Sequence, residues 1–431
     1  MHQSNRNRTS YHSKQLLQPS MTFLTRSMCN KSKASEALLL DQGFKIEIFD
    51  RISDVEESWT IMSEGNDIFF SPDFIKIIEN YPASDIVPYY GLVTFDNIPV
   101  GIVYFQSKYV TLKENLRKSE HQQRSSFQKI TEPIKQAVVG SINFQTIICG
   151  NLLLTGRYGF CFKSEISRDQ QFYLVIQATD RLNQYLSKKG IASGLILIKD
   201  FFTEDTPAAG EYHKGFAKFT VQPKMILEMK PEWNTFDDYL EDLKSKYRVR
   251  ARKAAQKAGD ITKKVFTADD IANHRQTIHA LYKNVSDQAG FNAFVLHERY
   301  FEQLKEALGD KLKLTTYWRN GKMVAFFTSI KNYDVLDAHF LGYEPDENYE
   351  CQLYLNMLYD LIREAIDCKA SKVDMSRTAI EIKSTVGAVP HDMYLYLRHT
   401  NKILNKTVET VLDYIKPQDE YIYRSPFRDE L

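Results

Sequence analysis

Cysteine is scarce and scattered in this 431-residue sequence: Cys29, Cys149, Cys161, Cys351 and Cys368 form no C-x-x-C pair. That pattern excludes a disulfide framework and a zinc knuckle. Long apolar runs are missing as well. Runs such as Leu195 to Ile198 fall far short of the roughly 18 residues that a membrane-spanning helix requires. The N-terminus has no apolar signal core, so a soluble protein of the reducing cytoplasm is expected. Net charge is nearly absent, with 56 Lys and Arg against 55 Asp and Glu, so overall charge names no partner and gives no reason to expect DNA binding. Familiar catalytic spacings are also missing. No G-x-x-x-x-G-K-[ST] phosphate loop is present, His297-Glu298 has no second histidine four residues on, and no Ser/His/Asp ordering stands out. No metal is implied.

What is present is ordinary globular material, 43% hydrophobic and 26% charged, of a length that suggests two or three domains. The near-neutral total conceals two uneven stretches. Residues 1–35 hold six basic residues (Arg6, Arg8, Lys14, Arg26, Lys31, Lys33) and no acid. Residues 1–42 lack periodicity and read as a disordered basic leader outside the fold, although their composition also resembles a transit peptide. The second stretch is residues 244–264, with nine basic residues against the single acid Asp260.

Two halves show the same order of elements. In the first, Phe44–Phe49 alternates as a strand, Ser71-Pro72 opens a short helix to Tyr81, and Asp96-Asn97 separates the hairpin strands Val87–Phe95 and Ile98–Val110. A strand Phe144–Cys149, a glycine-punctuated loop 150–160, a helix Asp169–Lys188 and a strand Gly194–Lys199 follow. In the second, Asn320-Gly321 joins Leu312–Trp318 to Met323–Ile330, then come the strand Val335–Tyr343, a loop 344–350, a helix Cys351–Ile366 and a strand Lys372–Met375. Between them the spacing predicts one long helix, Thr235–Gly259, opened by Thr235 three residues before Asp238. Its Lys244, Arg248 and Arg252 recur every four residues along an apolar stripe. The expected class is therefore α+β, with a leader 1–42, a first module 43–230 and a second module 231–425.

The order of elements, residues 243–254 (LKSKYRVRARKA) and residues 374–390 (DMSRTAIEIKSTVGAVP) resemble the GNAT-like acyltransferases of the Fem and BioF2-like group over residues 44–425. The resemblance implies two GNAT-like modules in tandem, each a mostly antiparallel sheet flanked by helices. It also implies transfer of an acyl or aminoacyl group to an amine, since the group's best-known members move amino acids from aminoacyl-tRNA to a cell-wall precursor. The implied co-substrate is acyl-CoA or aminoacyl-tRNA, with no tightly bound cofactor. Implied partners are a small-molecule amine or a nucleotide-linked precursor, with tRNA as a further one.

The sequence departs from that group in places. Where ordinary GNAT enzymes carry a glycine-rich loop for a diphosphate at a helix start, the second module has residues 342–352 (GYEPDENYECQ), whose Glu344, Asp346 and Glu347 would repel one. The first module offers Gly156, Arg157 and Gly159 (GRYG, 156–159) ahead of a helix as a cofactor-binding loop. The helical-hairpin arm of some Fem enzymes is missing.

Candidate site residues come from both sources. The resemblance places Lys383 beside the substrate, with Arg377 and Glu381 in support, at a corner where free N–H groups and an ammonium could hold an anion. Asp337 and His339 alternate on one strand, with Tyr343 shortly beyond, and carboxylate, imidazole and phenol can each move the protons of amine acylation. A histidine in a strand that otherwise alternates with apolar residues is more often a satisfied core or edge residue. Lys244, Arg248 and Arg252 fit either the phosphates of a nucleotide-linked partner or a solvated face. A second function stays open: a GNAT-fold binding protein without catalysis, recognising a polar or nucleotide-linked metabolite.

Overall fold

The computed structural model of the chain describes residues 38–39, 43–111, 143–206, 215–288, 294–415 and 421–428. The first half runs β1 (Leu38–Leu39), β2 (Phe44–Phe49), α1 (Glu56–Ser63), α2 (Pro72–Asn80), β3 (Val87–Phe95), β4 (Ile98–Thr111), β5 (Asn143–Cys149), β6 (Phe160–Phe162), α3 (Arg168–Lys188) and β7 (Ser193–Phe202). Local chemistry sets several of these. Ser71 caps α2 by accepting the Phe74 N–H at 3.3 Å, with Pro72 in the first turn. The β3–β4 turn takes left-handed φ at both Asp96 (49°) and Asn97 (64°), which suits the twist of a tight hairpin. Two residues assigned to the leader, Leu38 and Leu39, pair with β2 as the sheet's edge strand. The rest of the leader lies outside the described residues.

The chain continues with β8 (Ala217–Thr220), β9 (Lys224–Glu228), α4 (Phe236–Asp242), α5 (Ser245–Lys257), β10 (Thr262–Val265), α6 (Ala268–Asn273), α7 (Arg275–Ser286) and α8 (Tyr300–Leu308). The predicted single helix 235–259 is thus two. Residues 421–428 intervene: Leu243 forms a bridge with Phe427, and the Lys244 N–H bonds the Pro426 carbonyl at 2.8 Å, so helical bonding stops there. The Thr235–Asp238 capping box is present at the start of α4.

Next come β11 (Leu312–Arg319), β12 (Lys322–Asn332), β13 (Val335–Tyr343), α9 (Pro345–Cys351), α10 (Leu353–Asp367), β14 (Lys372–Asp374), α11 (Ile380–Ser384), β15 (Val389–His391), β16 (Met393–His399), α12 (Lys402–Asn405) and α13 (Val408–Ile415). The segment 344–350, read as a loop, is mostly the short helix α9. Gln352 in left-handed conformation (φ 51°) separates it from α10.

Two mixed sheets result, in the orders β1-β2-β3-β4-β5-β7-β16-β8 (with β6 on β4) and β10-β11-β12-β13-β14-β9-β15. Each contains one parallel pair, β5 with β7 and β13 with β14, joined by the crossover helices α3 and α10. The duplicated architecture is therefore present, but the halves exchange strands. β9 precedes the second half in sequence yet lies in the second sheet, and β16 ends the second half yet lies in the first. A cut at 230/231 separates neither sheet from the other. The halves also share a core: Ile77 and Ile78 of α2 and Tyr90 of β3 belong to one apolar cluster with Tyr300, Phe301 and Leu304 of α8.

Candidate active site at the junction of the halves

Three neighbouring strands aim charge at one point. Asp337 on β13 is in register with Asp374 on β14, and Asp374 is opposite Ile226 on β9, two residues from Lys224. Directly opposed residues share a sheet face, and so do residues two apart. Lys224 forms a buried ion pair with Asp374. Asp337 is 6% exposed, and its Oδ2 has no hydrogen-bond partner. Burial, and then the charge of Asp374, push the Asp337 carboxyl well above the usual carboxylate range. A third carboxyl, Asp67, caps the turn at Ile68–Phe70 by accepting the Phe69 N–H at 3.0 Å, and burial raises it too. Burial works against the Lys224 ammonium, but Asp374, Asp337 and Asp67 together outweigh it and hold its pKa above the ordinary lysine value. Burial and the neighbouring carboxylates therefore favour the protonated form at Asp337.

The pair opens into a narrow cleft of about 20 Å³ between the halves. The first half contributes Phe69, Leu153, Leu154, Thr155 and Tyr158, and the second contributes Asp337, Ala338, His339, Asp374 and Ser376. Burial and the surrounding carboxylates keep the Tyr158 phenol protonated. Gly156 (φ 148°) makes room for that ring, because a Cβ there would lie 2.7 Å from it.

His339 lines the cleft as an aromatic rather than as a base. It is stacked between Phe69 (6.1 Å) and Tyr300 (5.8 Å), with Nε2 2.7 Å from the Tyr300 hydroxyl. Burial lowers its pKa to about 3, so the ring stays neutral. Tyr343 does not join Asp337. Phe327 pairs with Leu341 while Ser329 pairs with Ala338, so β13 carries one extra residue, a bulge whose Phe340 N–H and C=O are both bonded by the Thr328 hydroxyl at 2.9 Å. The bulge reverses the alternation beyond it. Tyr343 consequently packs with Leu336, Ala338 and Leu341 on the opposite face from Asp337.

Lys383 lies one layer behind the cleft surface. It is 4% exposed, and its Nζ bonds the Arg377 carbonyl at 2.5 Å, where the sequence had suggested a free anion site. Burial lowers its pKa to about 7, with Asp374 opposing. The corner it braces holds three left-handed non-glycine residues, Ser376 (58°), Thr378 (66°) and Ala379 (48°), a concentration of backbone strain of the kind found at functional sites. The Arg377 guanidinium pairs with Asp200 of the first half, and Glu381 forms an exposed ion pair with Arg424.

The remaining candidates lie away from the cleft. Lys244 occupies the N-cap position of α5, Arg248 is half-buried with a long contact of 3.5 Å to the Glu241 carbonyl, and Arg252 is exposed. The opposite face of α5, Ala251 and Ala254, packs towards α10, where Asn356 donates to the Ala254 carbonyl at 3.0 Å. Gly156, Arg157 and Gly159 are not at a helix start, because β6 follows them and α3 begins only at Arg168. In that loop the N–H groups of Leu152, Leu153, Leu154, Gly156 and Tyr158 already have protein acceptors, and Arg157 lies over Phe160. In the second half the α10 start is also covered. Asn348 of α9 accepts the Tyr354 N–H at 2.8 Å, while Glu347 and Glu350 pair with Arg319.

The FemAB-like family, described as peptidoglycan biosynthesis/recognition, matches residues 158–425, well over half of the sequence. The chain belongs to the FemAB-like family. The matched span takes in β9, β13, β14 and the Lys383 corner, together with Tyr158 from the first half. Among solved structures, this FemAB-like chain is similar to FemX at 11% identity and a TM-score of 0.48, covering 83% of this chain and 98% of that one. It is similar to the C-terminal domain of a putative lysylphosphatidylglycerol synthetase from Agrobacterium fabrum at 11% identity and 0.43, with 84% and 97% covered. A tandem GNAT protein from the clavulanic acid biosynthesis pathway aligns at 8% identity and 0.43, with 81% and 95% covered. No curated protein matches the chain.

Proposed function

We propose that this FemAB-like protein is an acyltransferase that passes an acyl or aminoacyl group to an amine in the cleft between its halves. One observation carries the reading: Asp337 is buried beside Asp374 in the lining of the cleft, and its Oδ2 has no hydrogen-bond partner. An ammonium must lose a proton before its nitrogen can attack a carbonyl carbon, and the departing oxygen or sulfur must gain one. The Asp374 carboxylate, with Lys224 as counter-ion, takes the first role. Asp337, whose protonated form is favoured by burial, takes the second. The Tyr158 hydroxyl supplies a donor towards the oxyanion of the tetrahedral intermediate. His339, Phe69 and Leu153 keep water away from the reacting atoms.

For the donor we favour aminoacyl-tRNA over acyl-CoA. The covered start of α10 and its acids leave no place there for a diphosphate, while α5 presents Arg252 and its basic neighbours to solvent. A cell-envelope precursor with a free amine is the acceptor class that fits the family description. The same covered helix start favours the second reading, a binding protein for a polar or nucleotide-linked metabolite.

The test is mass spectrometry of mixtures of each donor class with amine acceptors. A covalently enlarged amine supports transfer, and retention of an unaltered acceptor supports the binding protein. In Asp337→Asn, turnover should fall by about 100-fold or more with the fold intact. Unchanged turnover would remove Asp337 from the mechanism.

A further inference from the structure

A second concentration of buried charge lies where β7 meets the Lys383 corner. Tyr394 of β16 opposes Phe201, whereas Tyr396 opposes Ile198, so β7 carries an extra residue at Lys199-Asp200, and Asp200 adopts a left-handed φ of 68°. Such a bulge re-aims side chains. Lys199 and Asp200, 5% and 0% exposed, are turned into the junction. The Lys199 ammonium donates to the carbonyls of Asn151 and Leu154, both at 2.8 Å, and pairs with Asp200 at 2.5 Å. Asp200 accepts the Gly156 N–H at 3.1 Å through Oδ2 and the Arg377 guanidinium through Oδ1. Beside this link, the Ser376 hydroxyl donates to the Thr155 hydroxyl at 2.9 Å. One carboxylate thus terminates bonds from both cleft walls, the 150–159 loop of the first half and the 374–379 corner of the second.

We propose that Asp200 is a positioning residue that locks the two walls of the cleft together and, through Arg377, holds the strained corner and Lys383 in place. Without its charge, the buried Lys199 ammonium and the half-buried Arg377 guanidinium would lie side by side without the carboxylate they share, a costly arrangement that is relieved when Arg377 leaves. Its departure frees Ser376, Thr378 and Ala379 to relax and withdraws the carbonyl that holds Lys383. The lock is independent of which reaction the cleft hosts, so the transfer assay and the experiment below can fail separately.

The experiment is competitive acetylation of the full chain with acetic anhydride across a pH series, with each lysine read by mass spectrometry and exposed Lys402 and Lys257 as internal references. In Asp200→Asn, Lys383 should be labelled about tenfold faster than in the wild type, the scale of a lost charge-assisted bond. Its apparent titration midpoint should also move up from about 7 as solvent reaches it. General loosening would raise many sites together rather than Lys383 in particular. Should Asp200→Asn fail to fold, Arg377→Gln decides, because it keeps the Lys199–Asp200 pair while cutting the link to the corner. A folded Arg377→Gln protein with unchanged Lys383 labelling and midpoint would overturn the proposal.

Discussion

Lys383 shows how far burial can change what one side chain means. Its folded pKa is lowered from 10.5 to about 7, so between those values the unfolded chain holds a proton that the folded chain has released. Stability therefore rises with pH across that window, and below it the cost of burial is fully present. Lys383→Met should stabilise the protein by about 1–3 kcal/mol at pH 6, and the gain should shrink as pH approaches 10.5; urea unfolding at several pH values measures it. A gain that does not vary with pH would show that the amine is not the source. His339 gives the complementary case. With its pKa pushed down to about 3, it contributes no step to a pH–rate profile near neutrality. His339→Phe keeps the stacking but strands the Tyr300 hydroxyl, which should cost about 1–3 kcal/mol of stability while leaving the form of the pH–rate profile unchanged. A neutral-pH inflection that disappears in the variant would restore the imidazole as a base.

At the scale of elements, the β13 bulge and the break between α4 and α5 decide what the cleft contains. Gly342 follows the bulge and lies against α7 so closely that a Cβ would fall 2.4 Å from the backbone of Leu281 and Tyr282. Backbone cannot step aside as a flexible side chain can, so Gly342→Ala should destabilise by about 3 kcal/mol, seen as a lowered urea midpoint. The hairpins at Asp96-Asn97 and Asn320-Gly321, the cap at Ser71 and the alternation of β2 were legible because each is written within a few neighbouring residues. Tyr343 was misplaced because a bulge interrupts period-two reading, and nothing local marks it. The helix break at Leu243–Lys244 is imposed by Phe427 and Pro426, from the far end of the chain. Asp337 was a candidate from its strand, whereas Asp374, Lys224 and Asp67 were not, because their proximity depends on strand order. Lys199-Asp200 did leave a trace, a charged pair inside the otherwise apolar run of β7.

On the scale of the whole molecule, the exchanged strands and the shared core around Tyr300 tie the halves into one folding unit. Calorimetry should show a single cooperative transition, with the van't Hoff and calorimetric enthalpies in agreement. Two resolved transitions would mean that the halves are stable separately. Fragments covering 43–206 and 231–425 should each fail to give a cooperative transition alone, since the first lacks β8 and β16 and the second lacks β9.

The same exchange bears on how such a gene can change. Because each half borrows a strand from the other, neither half can be deleted, and a split gene would yield two polypeptides obliged to assemble before either could work.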